Sequence, residues 1–264
     1  MRPMLKQDRQ MALPLIEVSN VTLDLYGQRI LEDVSFSVGK AEIVCVIGPS
    51  GCGKTTILRL LAGLIPPTQG QIFFEGTEIT APRRDLAVVF QDYGKALLPW
   101  RTASANVALP LESTKLSKSE QNERVNQLLD LVGLSGQGKK FPRQLSGGMQ
   151  QRLQIARALA QDPDVLLMDE PFGALDAMTR QSLQNEMLTI VEKTHKTMFF
   201  VTHDLEEAIY MGDRVLGLLP RPGRVAVEFV VDLPRPRDPL TTLEHPSFLR
   251  LRRQLYDFIH SAEG

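Results

Sequence analysis

Residues suited to phosphate chemistry are concentrated in one short stretch of the sequence. The stretch reads Gly48-Pro49-Ser50-Gly51-Cys52-Gly53-Lys54-Thr55-Thr56, with the spacing G-x-x-x-x-G-K-T. Its glycines allow positive φ angles, and the N–H groups at the start of a helix attract an anion. Lys54 is expected to contact the β- and γ-phosphates, and the Thr55 hydroxyl is expected to bind Mg²⁺. We therefore predict a nucleoside triphosphate site.

The residues on either side favour a phosphate loop over an ordinary glycine turn between a strand and a helix. The apolar run Ile43–Ile47 precedes the loop, and residues 57–63 follow it with a helical pattern. A buried strand that leads through a glycine-rich loop into a helix is the setting that this motif requires.

Two consecutive carboxylates, Asp169 and Glu170, follow the apolar run 165–168 directly. Ligands in open α/β sheets bind at the carboxyl ends of the strands. There, Asp169 suits Mg²⁺, usually through water, and Glu170 suits the orientation or deprotonation of an attacking water. The alternative is a strand end that carries two solvated acids.

A second anion-binding helix start is indicated at residues 145–152, which read Leu-Ser-Gly-Gly-Met-Gln-Gln-Arg. A serine and two glycines at the beginning of a helix leave N–H groups free for a phosphate. Taken alone, the same residues fit a plain helix that is capped by Ser146.

At this point the sequence resembles the ATP-binding cassette (ABC) ATPase family, from about Ile16 to Leu219, with its motifs in order. Gly48–Thr55 resembles Walker A, Gln91 the Q-loop, Leu145–Gln150 the signature, Asp169-Glu170 Walker B, Ala174-Leu175-Asp176 the D-loop and His203 the switch histidine. Met149 departs from the signature, where many members have glutamine. Because the phosphate contacts come from Ser146 and from backbone N–H groups, we expect little effect on activity.

The resemblance implies a head-to-tail dimer of two copies that encloses two molecules of ATP. Ser146, Gly147 and Gly148 of one copy would contact the γ-phosphate held by the phosphate loop of the other. Asp176 would communicate across the interface. Tyr26 would stack on adenine, although a packing or surface tyrosine is the alternative.

The resemblance also assigns the hydrolytic residues, namely Glu170, His203, Gln91 and Lys54. His203 would form a hydrogen bond with the γ-phosphate, and Gln91 would bridge Mg²⁺ or the attacking water to the helical segment. ATP and Mg²⁺ are the expected cofactors, with Thr55, Gln91 and Asp169 around the metal.

The elements that must position these residues indicate an α/β fold. We expect a P-loop NTPase (RecA-like) core with an antiparallel β subdomain at the start, where a turn at Gly27-Gln28 separates two alternating runs. We also expect an inserted helical subdomain, with a capping box at Ser117 and Glu120. The strands from Val215 onward look peripheral.

The expected domain organisation has a flexible tail at residues 1–12 and a single ABC ATPase domain at 13–264. Within it, residues 13–95 and 163–231 would form the nucleotide-binding core with the β subdomain. Residues 96–162 would form the helical signature subdomain, and 232–264 a C-terminal extension with a helix.

Composition narrows the expected partners. The 264 residues include 30 Lys and Arg against 31 Asp and Glu, so the formal charge is −1 and gives no reason to expect nucleic acid. The two cysteines do not form a disulfide framework and fit a reduced, cytosolic protein. No apolar run approaches the roughly 18 residues of a spanning helix, and the start lacks the apolar stretch of a signal peptide.

The segment from Ala96 to Thr102 resembles a segment of import ATPases, and Asn106 and Val107 fit the same resemblance. In those ATPases the segment lies beside the groove that receives the coupling helix of a membrane subunit. The alternative is a loop packed within its own subdomain. Residues 234–238, Pro-Arg-Pro-Arg-Asp, followed by a short C-terminal helix, resemble the nitrate/sulfonate/taurine importer branch.

We therefore predict the ATP-hydrolysing subunit of a bacterial-type ABC importer on the cytoplasmic face of the inner membrane. Its partners would be membrane-spanning permease subunits and, indirectly, a periplasmic or extracellular solute-binding protein. An ABC ATPase that acts on a macromolecule and the nucleotide-binding subunit of an exporter remain as alternatives.

Overall fold

The computed structural model describes residues 13–92, 96–173 and 175–263. The predicted flexible tail at residues 1–12 and Ala174 of the D-loop segment lie outside these ranges. The strands are β1 (Ile16–Leu25), β2 (Gln28–Val38), β3 (Ile43–Ile47), β4 (Gln69–Phe74), β5 (Thr77–Glu78), β6 (Leu86–Val89), β7 (Val165–Asp169), β8 (Thr197–Val201), β9 (Arg214–Leu219) and β10 (Arg224–Val230).

The helices lie between and after these strands. The α-helices are α1 (Lys54–Leu61), α2 (Ala103–Ala108), α3 (Lys118–Leu131), α4 (Gly147–Leu159), α5 (Ala177–Thr194), α6 (Leu205–Met211), α7 (Thr241–Glu244) and α8 (Pro246–Glu263). Short 3-10 helices cover Leu109–Ser113 and Pro142–Gln144. Among the described residues, every helix is too short or too polar to cross a lipid bilayer.

A six-stranded sheet in the order β10-β9-β3-β8-β7-β6 positions the candidate site. Strands β9, β3, β8, β7 and β6 are parallel, and β10 joins β9 as an antiparallel edge. The central strands β3, β7 and β8 are buried along their whole length, because both faces of the sheet are covered. Their carboxyl ends bring the phosphate loop, Asp169 and His203 to one edge.

The expectation that the strands from Val215 onward are peripheral is wrong for β9. This strand pairs in parallel with β3, and its four central residues are buried. Gly217 lies in the middle of this strand and lets Phe258 of α8 pack against it, since a Cβ at Gly217 would lie 2.6 Å from the Phe258 ring. Of these two strands, β10 is the edge strand, and it alternates between exposed and half-buried residues.

A second, antiparallel sheet in the order β2-β1-β4-β5 confirms the predicted antiparallel start of the chain. The turn between β1 and β2 consists of Tyr26 and Gly27, one residue earlier than the predicted Gly27-Gln28. Both turn residues have positive φ, 51° and 76°, as a tight two-residue hairpin requires.

The side chains of β3 show how the layers are joined. Ile43, Cys45 and Ile47 face a hydrophobic core that is shared with the helices α4, α5 and α8. Val44 and Val46 face the other core, which is formed with α1 and the antiparallel sheet. This alternation follows from the period of two residues in a strand, so the phosphate loop leaves a strand fixed on both sides.

The helical segment between β6 and β7 begins its longest helix, α3, at a confirmed capping box. The hydroxyl of Ser117 accepts the N–H of Glu120, and the Glu120 carboxylate accepts the N–H of Ser117 at 2.7 Å. The apolar face of α3, with Val125, Leu128 and Leu129 buried, packs into the core shared with α4.

Candidate active site at the carboxyl edge of the sheet

The phosphate loop links β3 to α1, and three of its glycines are structurally required. Gly51 and Gly53 have φ of 78° and 99°, where a side chain would be strained. A Cβ at Gly48 would lie 2.7 Å from the Cys52 sulfur and 2.8 Å from a backbone oxygen of β9. The loop leads directly into α1, and the residue before the helix, Gly53, provides no side-chain cap for its first N–H groups.

Lys54 lies across this loop. Its side chain is only 8% exposed, and its Nζ donates to the carbonyl oxygens of Gly48 at 2.7 Å and Pro49 at 3.1 Å. The ammonium group is thus held over the concave side of the loop, where the helix start already favours an anion.

Thr55 and Asp169 come together although they are far apart in the sequence. The Thr55 hydroxyl donates to Oδ1 of Asp169 at 3.0 Å. Burial raises the pKa of the Asp169 carboxyl, and the Thr55 hydrogen bond partly opposes this. The Thr55 hydroxyl and the desolvated Asp169 carboxylate thus provide two adjacent oxygen ligands of the kind that Mg²⁺ prefers.

Glu170 is the point at which three predicted residues meet. Gln91 donates through Nε2 to Oε2 of Glu170 at 2.9 Å, and the Nδ1 of His203 lies 3.3 Å from the same oxygen. Glu170 also has a positive φ of 44°, which is uncommon for a residue with a side chain and is often found at functional sites. The carboxylate is therefore oriented by two side chains from other strand ends.

The signature residues begin α4. Ser146 is exposed and caps the helix, since its hydroxyl accepts the N–H of Met149 at 3.4 Å. Gly147 is half-buried, whereas Gly148 is buried against α5. A Cβ at Gly148 would lie 2.5 Å from the Cγ2 of Thr179, so this glycine also serves the packing of two helices.

Asp176 and Tyr26 both lie on the surface. Asp176 caps α5, because its carboxylate accepts the N–H of Thr179 at 3.1 Å, and this backbone hydrogen bond lowers its pKa. Tyr26 is fully exposed at the tip of the first hairpin, which excludes the alternative that it packs inside the protein.

The segment 96–102 is divided between its own subdomain and the surface. Leu97 and Val107 are buried in the core, while Trp100 is 71% exposed. The buried amide of Asn106 accepts the N–H of Leu98 at 2.9 Å and donates to the carbonyl of Arg101 at 3.1 Å. Asn106 therefore fixes the loop that presents Trp100.

The family of the chain follows from comparison with known proteins. The family model described as ABC transporter matches residues 31–173, which include the phosphate loop, Gln91, the signature and both carboxylates. This chain belongs to the ABC transporter family. Like the other ATP-binding proteins of this family, it is an ATPase whose activity is coupled to transport. The predicted family and fold class are confirmed.

Curated relatives within the ABC family cover most of the chain. A nitrate import ATP-binding protein of Synechococcus elongatus is 45% identical over 234 residues, 87% of this chain and 84% of the relative. An aliphatic sulfonates import ATP-binding protein of Burkholderia cenocepacia is 43% identical over 256 residues, 97% of this chain and 91% of the relative. The predicted resemblance to nitrate and sulfonate import ATPases is therefore confirmed.

Solved structures show the same architecture. The ATP-binding cassette MJ0796, in a dimeric post-hydrolysis state bound to ADP and Pi, superimposes with a TM-score of 0.73 at 32% identity. The alignment covers 83% of this chain and 99% of that one.

Sequence reasoning missed three charged residues that lie in, or are paired with, the segment after His203, the candidate switch histidine. Asp204 caps α6 and pairs with Arg180 of α5 at 3.3 Å, and Glu207 of α6 is buried behind them. The capping role of Asp204 was available from the pattern Asp-Leu-Glu-Glu at residues 204–207. The burial of Glu207 had no local signal.

Substitution of Gly148 by alanine is expected to lower the free energy of unfolding by about 1–3 kcal/mol. The reason is the clash of the new Cβ with Thr179, which outweighs the gain in helix propensity. Urea denaturation measures the change. Adding Thr179→Ser, which removes the clashing methyl group, is expected to restore most of the loss, and Thr179→Ser alone is the control. A Gly148→Ala chain as stable as the original would contradict this account of the helix contact.

Glu207 is expected to make stability depend on pH. Burial, followed by repulsion from Asp204, raises the pKa of Glu207 from near 4.5 to about 8. Between these values the folded chain keeps a proton that the unfolded chain releases, so this residue lowers stability as pH rises, by at most about 1.4 kcal/mol per pH unit.

Glutamine at position 207 cannot titrate and should remove this contribution. The Glu207→Gln variant is therefore expected to become more stable relative to the original chain as the pH rises from 5 to 8.5. Urea denaturation at several pH values measures the difference. A difference that stays constant over this range would show that Glu207 does not hold a proton in the folded state.

Proposed function

We propose that this chain is the ATP-hydrolysing subunit of an ABC importer for a small solute of the nitrate, sulfonate or taurine kind. The nitrate and sulfonate import names of its relatives support this proposal. The observation that carries the hydrolytic part is the convergence of Gln91 and His203 on one carboxylate oxygen of Glu170, next to the phosphate loop.

In this proposal Glu170 acts as the general base. The oxygen of a water molecule forms a bond to the γ-phosphorus of ATP, the bond from that phosphorus to the oxygen of ADP breaks, and Glu170 accepts the water proton. Gln91 and His203 orient the carboxylate, and His203 is exposed enough to reach the γ-phosphate. Lys54 holds the β- and γ-phosphates over the loop.

The same edge of the sheet fits a magnesium ion. Thr55 and Asp169 supply two adjacent oxygen atoms, and the buried Asp169 gains from a compensating positive charge. The amide oxygen of Gln91 could add a further ligand. When bound, Mg²⁺ would neutralise charge on the β- and γ-phosphate oxygens.

We further propose that two copies form a head-to-tail dimer around two molecules of ATP. Ser146, Gly147 and Gly148 would contact the γ-phosphate that the partner copy holds, and Asp176 would lie at the interface. Tyr26, exposed at its hairpin tip, would stack on adenine. The dimeric state of the similar cassette MJ0796 supports this arrangement.

The membrane partner is proposed to bind at the loop of Trp100. A large exposed aromatic residue on a fixed loop is a typical anchor for a protein partner. The chain would then work at the cytoplasmic face of the membrane, with permease subunits and an external solute-binding protein completing the importer.

The Trp100 loop belongs to the proposed helical subdomain, residues 96–162. The proposed core consists of residues 13–95 and 163–231, and the proposed C-terminal extension of residues 232–264.

The test is an affinity pull-down of the tagged chain from gently solubilised membranes, with the recovered proteins identified by mass spectrometry. We expect a polytopic membrane protein in stoichiometric amount, and less of it with Trp100→Ala. Leu240→Ala is the matched control, because Leu240 is equally exposed, at 74%, in the C-terminal extension. Recovery of ribosomes or DNA-associated proteins without a membrane partner would overturn the importer proposal.

A further inference from the structure

Arg180, in the first turn of α5, contacts two functional segments at once. Its Nη1 lies 3.3 Å from Oδ2 of Asp204, the residue after His203. Its Nη2 donates to the carbonyl oxygen of Leu175 at 3.2 Å, and its backbone N–H makes the first hydrogen bond of α5, to the carbonyl oxygen of Asp176 at 2.9 Å. Leu175 and Asp176 belong to the D-loop segment. A single arginine therefore joins the D-loop to the switch-histidine segment.

Asp204 in turn fixes the backbone on both sides of His203. Its N–H donates to the hydroxyl of Thr202 at 3.1 Å. Its Oδ1 accepts the N–H groups of Glu206 at 2.9 Å and Glu207 at 3.1 Å, so it caps α6. A displacement of Asp204 is therefore expected to displace His203.

The helices α5 and α6 are not packed tightly where Arg180 connects them. A cavity of about 220 Å³ lies there, lined by Met178 and Arg180 from α5 and by Asp204 and Glu207 from the switch segment. Among the described residues, the buried Nε of Arg180 and Oε1 of Glu207 have no hydrogen-bond partner. The Arg180–Asp204 ion pair is therefore a direct contact between two segments that border the same cavity.

We propose that Arg180 is a positioning residue that couples the D-loop to His203 through Asp204. When a partner copy moves the D-loop, Arg180 moves Asp204, and the distance from His203 to Glu170 changes from the present 3.3 Å. The inference rests on the proposed dimeric ATPase. It adds the contacts through which closure of the dimer would change the position of His203 relative to Glu170.

This role affects turnover rather than ATP binding or folding. Both side chains of the ion pair are about one-third exposed, so the pair contributes little to stability. Neither residue belongs to the phosphate loop. Loss of the link should therefore lower kcat and leave the KM for ATP and the melting temperature nearly unchanged.

The test is a double-mutant cycle with Arg180→Gln and Asp204→Asn, in which kcat and KM for ATP are measured. Asparagine at position 204 keeps the helix cap and removes the charge. Each single variant is expected to lower kcat roughly 3- to 30-fold with KM within about twofold of the original. The double variant should be no slower than the slower single variant, since one link is lost in every case. Arg180→Lys, which keeps the charge, should restore part of kcat.

Tyr210→Phe is the matched control. The Tyr210 hydroxyl donates to Oδ1 of Asn185 at 2.6 Å and links the same two helices away from His203. Its removal is expected to leave kcat unchanged. The proposal is overturned if Arg180→Gln has the original kcat, if the two single effects multiply in the double variant, or if Tyr210→Phe slows turnover as much as Arg180→Gln.

The original chain and Glu170→Gln, assayed in parallel, separate two kinds of failure. An original chain without ATPase activity would overturn the proposed function and this inference with it. An original chain whose activity depends on Glu170 but not on Arg180 would overturn the inference alone.

Discussion

Substitution of Glu170 by glutamine is expected to leave ATP binding intact and to slow hydrolysis by roughly 10²- to 10⁴-fold. Glutamine has the size of glutamate and its side-chain oxygen can still accept from Gln91, so the surroundings of the site should be preserved. It cannot accept the proton of the attacking water. The effect should therefore fall on kcat, while the KM for ATP and the melting temperature change little.

Steady-state ATPase assays together with equilibrium binding of a fluorescent ATP analogue measure this separation. Glu228→Gln is the matched control, because Glu228 is a half-exposed acid on the edge strand β10 that pairs with Arg214. Its kcat should equal that of the original chain. Near-normal turnover in Glu170→Gln would refute the assignment of Glu170 as the general base.

The parts of the site that sequence reasoning predicted are those whose signals are local. Asp169 and Glu170 follow an apolar run directly, and a fully apolar strand in an α/β protein lies inside a parallel sheet. The phosphate loop likewise lies between an apolar strand and a helix. Because the carboxyl ends of parallel strands share one edge, these residues had to lie close together once the strands were recognised.

The parts that could not be predicted depend on contacts between distant segments. Nothing near Gly148 indicates that Thr179 would lie within van der Waals distance of it. Arg180 and Asp204 are 24 residues apart, and their ion pair exists only because the fold brings the start of α5 close to the start of α6. The burial of Glu207 likewise could not be predicted, since its side chain borders a cavity that residues of α5 also line.

The error at β9 has a related cause. The order of strands along the chain does not determine their order in a parallel sheet with crossovers. Here β9 returns to lie beside β3, next to the phosphate loop, and brings Gly217 against Phe258 of the C-terminal helix. The C-terminal helix thus packs on the strand next to β3, which leads into the loop.

Substitution of Lys54 by alanine is expected to weaken ATP binding by roughly 10- to 100-fold. A hydrogen bond to a charged group contributes about 1.5–3 kcal/mol, and the proposed role of Lys54 is to supply a positive charge to the phosphates. The buried Nζ also joins the carbonyl oxygens of Gly48 and Pro49, so its loss leaves the loop less ordered. Unlike the Glu170 substitution, this change should therefore appear in the dissociation constant for ATP.

Isothermal titration of ATP into the original chain and into Lys54→Ala measures the dissociation constant for ATP. Lys40→Ala is the control for loss of a lysine, because Lys40 is an exposed residue that pairs with Glu75 in the turn between β4 and β5. Its affinity for ATP should match that of the original chain. If Lys54→Ala bound ATP as tightly as the original chain, residues 48–56 would not be the phosphate loop. The two substitutions therefore test separate steps, since Lys54 is assigned to binding and Glu170 to the reaction that follows.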